Sequence, residues 1–363
     1  MKRFNKLASL TAVALATATM AMSGGAQAQS DPLKVGFVYV GPIGDHGWSY
    51  EHNQGRLALE KEFGDKVQTT FVEKVPEGAD AQRVINQLAT SGHDLIFTTS
   101  FGYMNPTLRV AKNHPDVHFE HATGFKRDKN VATYSGRFYE GRHVAGLIAG
   151  KMTKTNTIGY VASFPIPEVI RGINAVAIAA RSVNPDVKIK VVWVSSWFDP
   201  GKEADAAKTM IDQGVDIIMQ HTDSPAPIQV AESRGVWAVG QASNMSAFGS
   251  KAHLTAIIDN WSPYYVARTK AVLDKTWDST DTWGGFKSGM VQMAPYNEAI
   301  PADVVALAET ARKGIIDGSV HPFAGPIKDQ SGKIVVPAGE VASDGMLLGM
   351  DFYVEGVDGK IPN

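Results

Sequence analysis

From residue 33 onward, short apolar runs alternate with amphipathic stretches, and the alternation persists almost to the end of the chain. K-V-G-F-V-Y-V at 34–40 predicts a buried strand, 50–63 a helix, 67–73 a strand, 79–91 a helix and 95–99 a strand. A proline-opened helix over 106–113 follows, then strands at 117–121 and 133–138. Such a βαβ series implies a parallel sheet with helices on both faces. After a helix over 140–152 the pattern restarts, with strands at 158–162, 188–195, 216–220, 237–240 and 254–258. Helices open near Pro167, Gly201, Pro225 and Pro263.

The expected fold class is therefore α/β, with two doubly wound parallel-sheet lobes joined by several short crossings near 134–139, 257–262 and 285–296. Residues 29–138 and about 260–325 are expected to form an N-terminal lobe and 139–259 a C-terminal lobe. The remainder, 326–363, reads as a hairpin and an irregular tail packing on the lobes.

The first residues change the picture. Lys2, Arg3 and Lys6 precede an apolar stretch over 7–22 and small residues ending in Ala26-Gln27-Ala28, the order of a secretory signal peptide, with cleavage expected after Ala28. The stretch is shorter than the ~20 residues that span a bilayer. With no cysteine in the 363 residues, disulfides, thiolate metal sites and a lipid-modified cysteine are excluded. A soluble periplasmic protein, not a lipoprotein, is expected. Basic and acidic residues number 35 and 37, for a net charge of −2, which leaves no field to hold nucleic acid or an anionic membrane.

In doubly wound sheets a ligand sits outside the carboxyl ends of the strands, so the loops just after each strand carry the candidate chemistry. G-P-I-G-D-H-G-W-S-Y sets Asp45 and Trp48 before the first long helix. Trp48 reads either as a hydrophobic staple on its own helix or as a stacking wall for a planar ligand. T-T-S-F-G-Y offers Ser100 and the aromatic Phe101, which equally suits packing under the next helix. In the second lobe, S-S-W-F-D-P-G-K-E places Trp197 as the counterpart of Trp48, so that two aromatic walls would sandwich a flat ring. Asp223 ends another strand, where it either accepts a ligand hydrogen bond or caps the helix at Pro225. Asp259 has the same two readings before Ser262. Lys287, in W-G-G-F-K-S-G, is a candidate donor to a ring nitrogen or sugar oxygen, or a solvated lysine.

These motifs, together with F-Y-E-G-R, D-Q-G-V-D-I-I and L-L-G-M-D-F-Y-V-E-G-V-D, resemble the basic membrane protein family of extracytoplasmic binding proteins. The resemblance runs from about Leu33 to the tail. It implies the type I periplasmic-binding fold, an ABC permease as partner, no cofactor or metal, and a monomer. Characterised members bind purine nucleosides, and a branch with tryptophan at the positions of Trp48 and Trp197 binds purine nucleobases such as adenine. By that resemblance the two tryptophans stack on the base, Asp45, Ser100 and Asp259 bond its edge or a sugar, and Lys287 assists. The first loop departs from the Asp-Gly-Gly type of the nucleoside binders, so a base, adenine favoured, is expected. A purine nucleoside is the alternative within the class.

Enzyme readings fit less well. Gly41, Gly44 and Gly47 follow a strand and Glu73 ends the next, but their spacing is G-x-x-G-x-x-G and Pro42 removes a backbone donor, against a dinucleotide loop. A periplasmic nucleoside-processing enzyme needs clustered carboxylates, and no D-x-D, H-E-x-x-H or G-x-S-x-G pattern is present. His118 and His121 lie three apart on an expected strand and so point to opposite faces. A sensory binding protein would share the same pocket.

Overall fold

Strand β1 (Leu33–Val38) is buried on both faces. Val35 and Phe37 pack with Leu59 of helix α1 (Gly47–Phe63) on one side. On the other, Val38 packs with Ile85 and Leu88 of α2 (Ala79–Thr90). This two-sided burial is why the strand reads as an unbroken apolar run. The structure is a computed structural model that describes residues 31–44 and 46–362. The expected signal peptide over 1–28 and the candidate Asp45 lie outside the described residues.

Around β1 the chain winds in both directions. β2 (Val67–Val72) pairs with one edge of β1 and β3 (Leu95–Thr98) with the other, and β4 (His118–Ala122) and β5 (Val131–Gly136) continue outward, all parallel. Helix α3 (Met104–Ala111) links β3 to β4. The chain then crosses to a second sheet through α4 (Phe138–Met152), whose residues are buried on nearly all sides because α5 (Pro167–Val183) covers it.

The second sheet repeats the scheme. β6 (Thr157–Ala162) lies between β7 (Lys188–Trp193) and β8 (Ile217–His221), and β9 (Trp237–Gly240) and β10 (His253–Asp259) follow in parallel. Helices α6 (Pro200–Asp212) and α7 (Ala226–Arg234) make the connections. The chain returns through α8 (Ser262–Leu273), which packs on α1, to β11 (Asp281–Gly284), parallel to β5 at the edge of the first sheet.

One expected boundary is corrected. Residues 260 to about 325 are expected in the N-terminal lobe, but the chain leaves it after β11. β12 (Val291–Met293) pairs antiparallel with β10, and α9 (Ala302–Asp317) packs on α4. The hydrogen-bonding edge of β10 is free at that point, and β12 closes it. β13 (Ile327–Lys328) and β14 (Ile334–Val336) form the expected hairpin. After α10 (Asp344–Leu348), β15 (Val357–Asp358) adds a strand to the edge of β7.

The strand orders are β11-β5-β4-β3-β1-β2 and β12-β10-β9-β8-β6-β7-β15. Each sheet reverses direction beside its first strand, between β1 and β3 and between β6 and β8. Those reversals are where loops part and a crevice opens at the strand ends.

Candidate functional site

The two reversals face one another across a cavity at the strand ends. Val40, Trp48, Ser100, Phe101 and Thr123 line it from the first lobe, and Glu168, Trp197, His221, Asp223 and Gln241 from the second.

Trp48 both packs on its own helix and lines the cavity. It lies in the first turn of α1, buried, with ring edges against His52 (4.5 Å), Trp261 (5.5 Å) and Phe138 (6.0 Å). Its indole N–H donates to the Thr99 carbonyl at 2.6 Å. The ring is therefore fixed by packing and by its one polar atom, and it also forms cavity wall. Trp197 is half-buried, leans on Phe164 at 5.1 Å, and donates from Nε1 to Glu77 Oε1 at 3.2 Å.

The loops carrying these side chains are held from beneath. In the second lobe, Asp199 caps α6 by accepting from the Lys202 N–H at 3.1 Å, while Glu203 accepts from the Asp199 N–H at 2.9 Å. The other Glu203 oxygen accepts from the Ser224 hydroxyl at 2.7 Å, and the Asp223 N–H donates to the Trp197 carbonyl at 2.9 Å. One buried glutamate thus ties the Trp197 loop to the Asp223 loop.

Asp223 does not cap its helix, since α7 begins at Ala226 with Pro225 at its N-cap and no side-chain cap. Its carboxyl is buried, and burial, followed by Glu203 and Glu168 nearby, pushes it well above the usual carboxylate range. The neutral form of this carboxyl is thereby favoured at the cavity wall.

Glu168, His221 and Gln241 were not singled out from the sequence, and they supply the remaining polarity. His221 Nε2 lies 3.4 Å from Glu168 Oε1, and burial lowers the imidazole below its ordinary value despite that carboxylate. Gln241 Oε1 accepts a hydrogen bond from the buried Arg142 guanidinium, whose other arm reaches the Gln220 carbonyl at 2.8 Å. Arginine only donates, so the Gln241 oxygen is engaged and its NH₂ is left for the cavity. Ser100 is buried at the cavity wall and donates its hydroxyl to Glu77 Oε1 at 2.5 Å. Phe101 is half-buried on the same wall.

Two predicted residues are not brought to this cavity. Lys287 is exposed, in a single turn (Phe286–Ser288) whose Phe286 is buried with its N–H on Glu140 Oε2 at 2.6 Å, so the turn directs the lysine to solvent. Asp259 is fully buried at the end of β10, where its N–H donates to the Ala242 carbonyl at 2.7 Å, and it does not line the cavity. Nor does it cap α8, which starts without a side-chain cap. Neither of its carboxyl oxygens has a hydrogen-bond partner among the described residues, and burial, then Glu51 and Glu168, push the group well above the usual range.

The lobes touch around the cavity. The Gly47 N–H donates to Ser243 Oγ at 2.8 Å, and a Cβ on Gly47 would stand 2.3 Å from the Asp223 carbonyl oxygen. Gly47 also has φ +79°, so only glycine permits this approach. The His46 ring meets Phe248 edge-on at 5.2 Å. These contacts describe a closed cleft.

Residues 33–323 match the Bmp family, described as ABC transporter substrate-binding protein, PnrA-like. A purine-binding protein of Brucella abortus is 57% identical over 96% of this chain and 99% of its own length. A putative ABC transporter glucose-binding protein of Haloferax volcanii is 38% identical, covering 94% and 84%. An ABC transporter solute-binding protein structure from Aeropyrum pernix K1 superposes with a TM-score of 0.71 at 21% identity, covering 81% and 94%, which shows the shared type I periplasmic-binding fold. Proteins of this class act outside the cytoplasm and deliver small molecules to a membrane permease, and no helix among the described residues is long and apolar enough to cross a membrane. The chain belongs to the Bmp family of PnrA-like ABC transporter substrate-binding proteins, and it is a solute-binding protein rather than an enzyme.

Proposed function

We propose that this protein binds a purine nucleobase, adenine favoured, in the cavity between its lobes and presents it to an ABC permease. The observation that carries the reading is that Trp48 and Trp197, from opposite lobes, line one cavity. Aromatic walls suit a planar heterocycle, and stacking on such a side chain is worth roughly 1–3 kcal/mol per base. The polar groups support it: the Gln241 NH₂ can donate to a ring nitrogen, the Asp223 carboxyl can do so in the protonated form that burial favours, and Glu168 accepts from an exocyclic amino group or ring N–H. The Brucella abortus relative is named for purine binding.

The nucleoside reading has one observation of its own. A hollow of about 170 Å³ adjoins the cavity and shares Phe101, Thr123 and Glu168 with it, adding Ser135, Asp281 and Trp283. A sugar on the base would have room there. The name of the Haloferax volcanii relative raises glucose as a third ligand class.

A thermal-shift panel separates the three, because a ligand that binds only the folded chain at 100 times its dissociation constant adds about 2.7 kcal/mol. Adenine is expected to raise the melting temperature most. A larger rise with adenosine would transfer the assignment to nucleosides, and a rise with glucose alone would overturn it. We further propose that the exported protein is a periplasmic monomer released by cleavage after Ala28, a reading supported by the basic, apolar and small-residue order of 1–28 and by the absence of cysteine.

A further inference from the structure

We infer that Glu77 is the latch that holds the cleft closed and sets how Trp197 meets the ligand. Glu77 belongs to the first lobe, in the loop between β2 and α2. Its Oε1 receives three donors: the Ser100 hydroxyl at 2.5 Å, the Gly102 N–H at 2.9 Å, and the Trp197 indole N–H at 3.2 Å. The first two come from its own lobe and the third from the opposite one.

That division matters. Ser100 and Gly102 are anchored in the loop after β3, so they hold the carboxylate in place whether the cleft is open or shut. The acceptor is thus aimed before Trp197 arrives. An indole has a single donor and no acceptor, so this one bond fixes the direction of the Trp197 ring in its own plane, with Phe164 supporting it at 5.1 Å. When the lobes part, the indole N–H returns to water while Glu77 keeps its other two donors. The bond therefore weights only the closed form, and a ligand's release must break it. Gly102 is part of the device: a Cβ there would stand 2.2 Å from the Glu77 Cδ and within 2.6 Å of both carboxylate oxygens. Only a residue without a side chain lets the carboxylate sit on that N–H.

The inference rests on the cavity being the ligand site, with adenine as its probe. The chain has no cysteine, so Lys112→Cys and Lys208→Cys, both at exposed positions on opposite lobes, give spin labels whose separation reports closure. In that background, Glu77→Ala is expected to raise the adenine dissociation rate about three- to tenfold, the size of one hydrogen bond at a rim. The association rate should stay within about twofold and the distance distribution should shift toward the open separation. Glu77→Gln, which keeps a side-chain oxygen, should recover most of the loss. Gly102→Ala should reproduce Glu77→Ala with the glutamate intact, by denying it its seat.

An unchanged dissociation rate and distance distribution in Glu77→Ala would overturn the latch. So would a Glu77→Gln variant as impaired as Glu77→Ala. A wild-type chain that ignores adenine would instead overturn the purine reading. The latch is then judged on the unliganded distances alone, where loss of the short-distance population in Glu77→Ala supports it and an identical distribution removes it.

Discussion

His221 Nε2 stands 3.4 Å from Glu168 Oε1 inside the cavity between the lobes, with burial lowering the imidazole below its ordinary value. The pair makes Glu168 a fixed acceptor rather than a solvated helix-start acid. Glu168→Gln keeps the volume but turns half of that acceptor into a donor. Adenine affinity is expected to fall by about 1–2 kcal/mol, measured by calorimetric titration, with hydrogen bonds to a charged group setting the scale. An unchanged affinity would remove Glu168 from the ligand's contacts.

The two tryptophans are expected to behave differently on truncation. Trp197 is half-buried on a loop, so Trp197→Ala should weaken adenine by roughly 1–3 kcal/mol and leave the melting temperature nearly unchanged. Trp48 is packed against His52, Trp261 and Phe138, and Trp48→Ala should also destabilise the fold by about 3–5 kcal/mol in a denaturant titration. Equal stability losses in the two variants would contradict the placement.

Asp223 gives a pH dependence. Its carboxyl is raised by burial and by neighbouring Glu203 and Glu168, which favours the protonated form. Raising the pH through its elevated value removes the proton and sets a second negative charge beside Glu168. Adenine affinity should therefore fall as pH rises. Asp223→Asn retains one donor and one acceptor, and its affinity should stay flat over the same range. A wild-type affinity that rises with pH would reverse the assignment.

Glu51 supplies a stability counterpart. Burial pushes its carboxyl from 4.5 up to about 8. The folded state thus holds a proton that the unfolded chain gives up earlier, and the associated stability is complete below about pH 4.5 and lost as pH rises toward 8. Glu51→Gln should flatten that decline, so its melting temperature should gain on wild type between pH 5 and pH 8 by about several degrees. Parallel melting curves across this range would refute the shift.

Much of the fold was legible because its strands are buried on both faces and its helices begin at prolines. Pro167, Pro200 and Pro263 each stand in the first turn of a helix. Helix α9 escaped notice because its buried face is Val304, Ala308, Ala311 and Gly314, residues too small to raise an apolar stripe yet suited to close packing on α4. The strand-end rule located Trp48, Ser100, Phe101, Trp197 and Asp223 on one cavity. It failed for Asp259 because β12 pairs with the end of β10 and the hinge buries that carboxylate. Glu168 stands in the first turn of α5, where an acid is common and marks no site, and Gln241 in G-Q-A-S carries neither charge nor ring to mark it. Which strand ends converge is a property of sheet order, and sheet order depends on pairings that local pattern does not encode.

The account turns on a ring held between two tryptophans, and a crystal structure of the adenine complex tests that most directly. It predicts density for the base in the cavity, in contact with both Trp48 and Trp197, with its polar edge on Glu168, Asp223 or Gln241. Adenine found outside that cavity, or within it but touching neither tryptophan, would contradict the central claim.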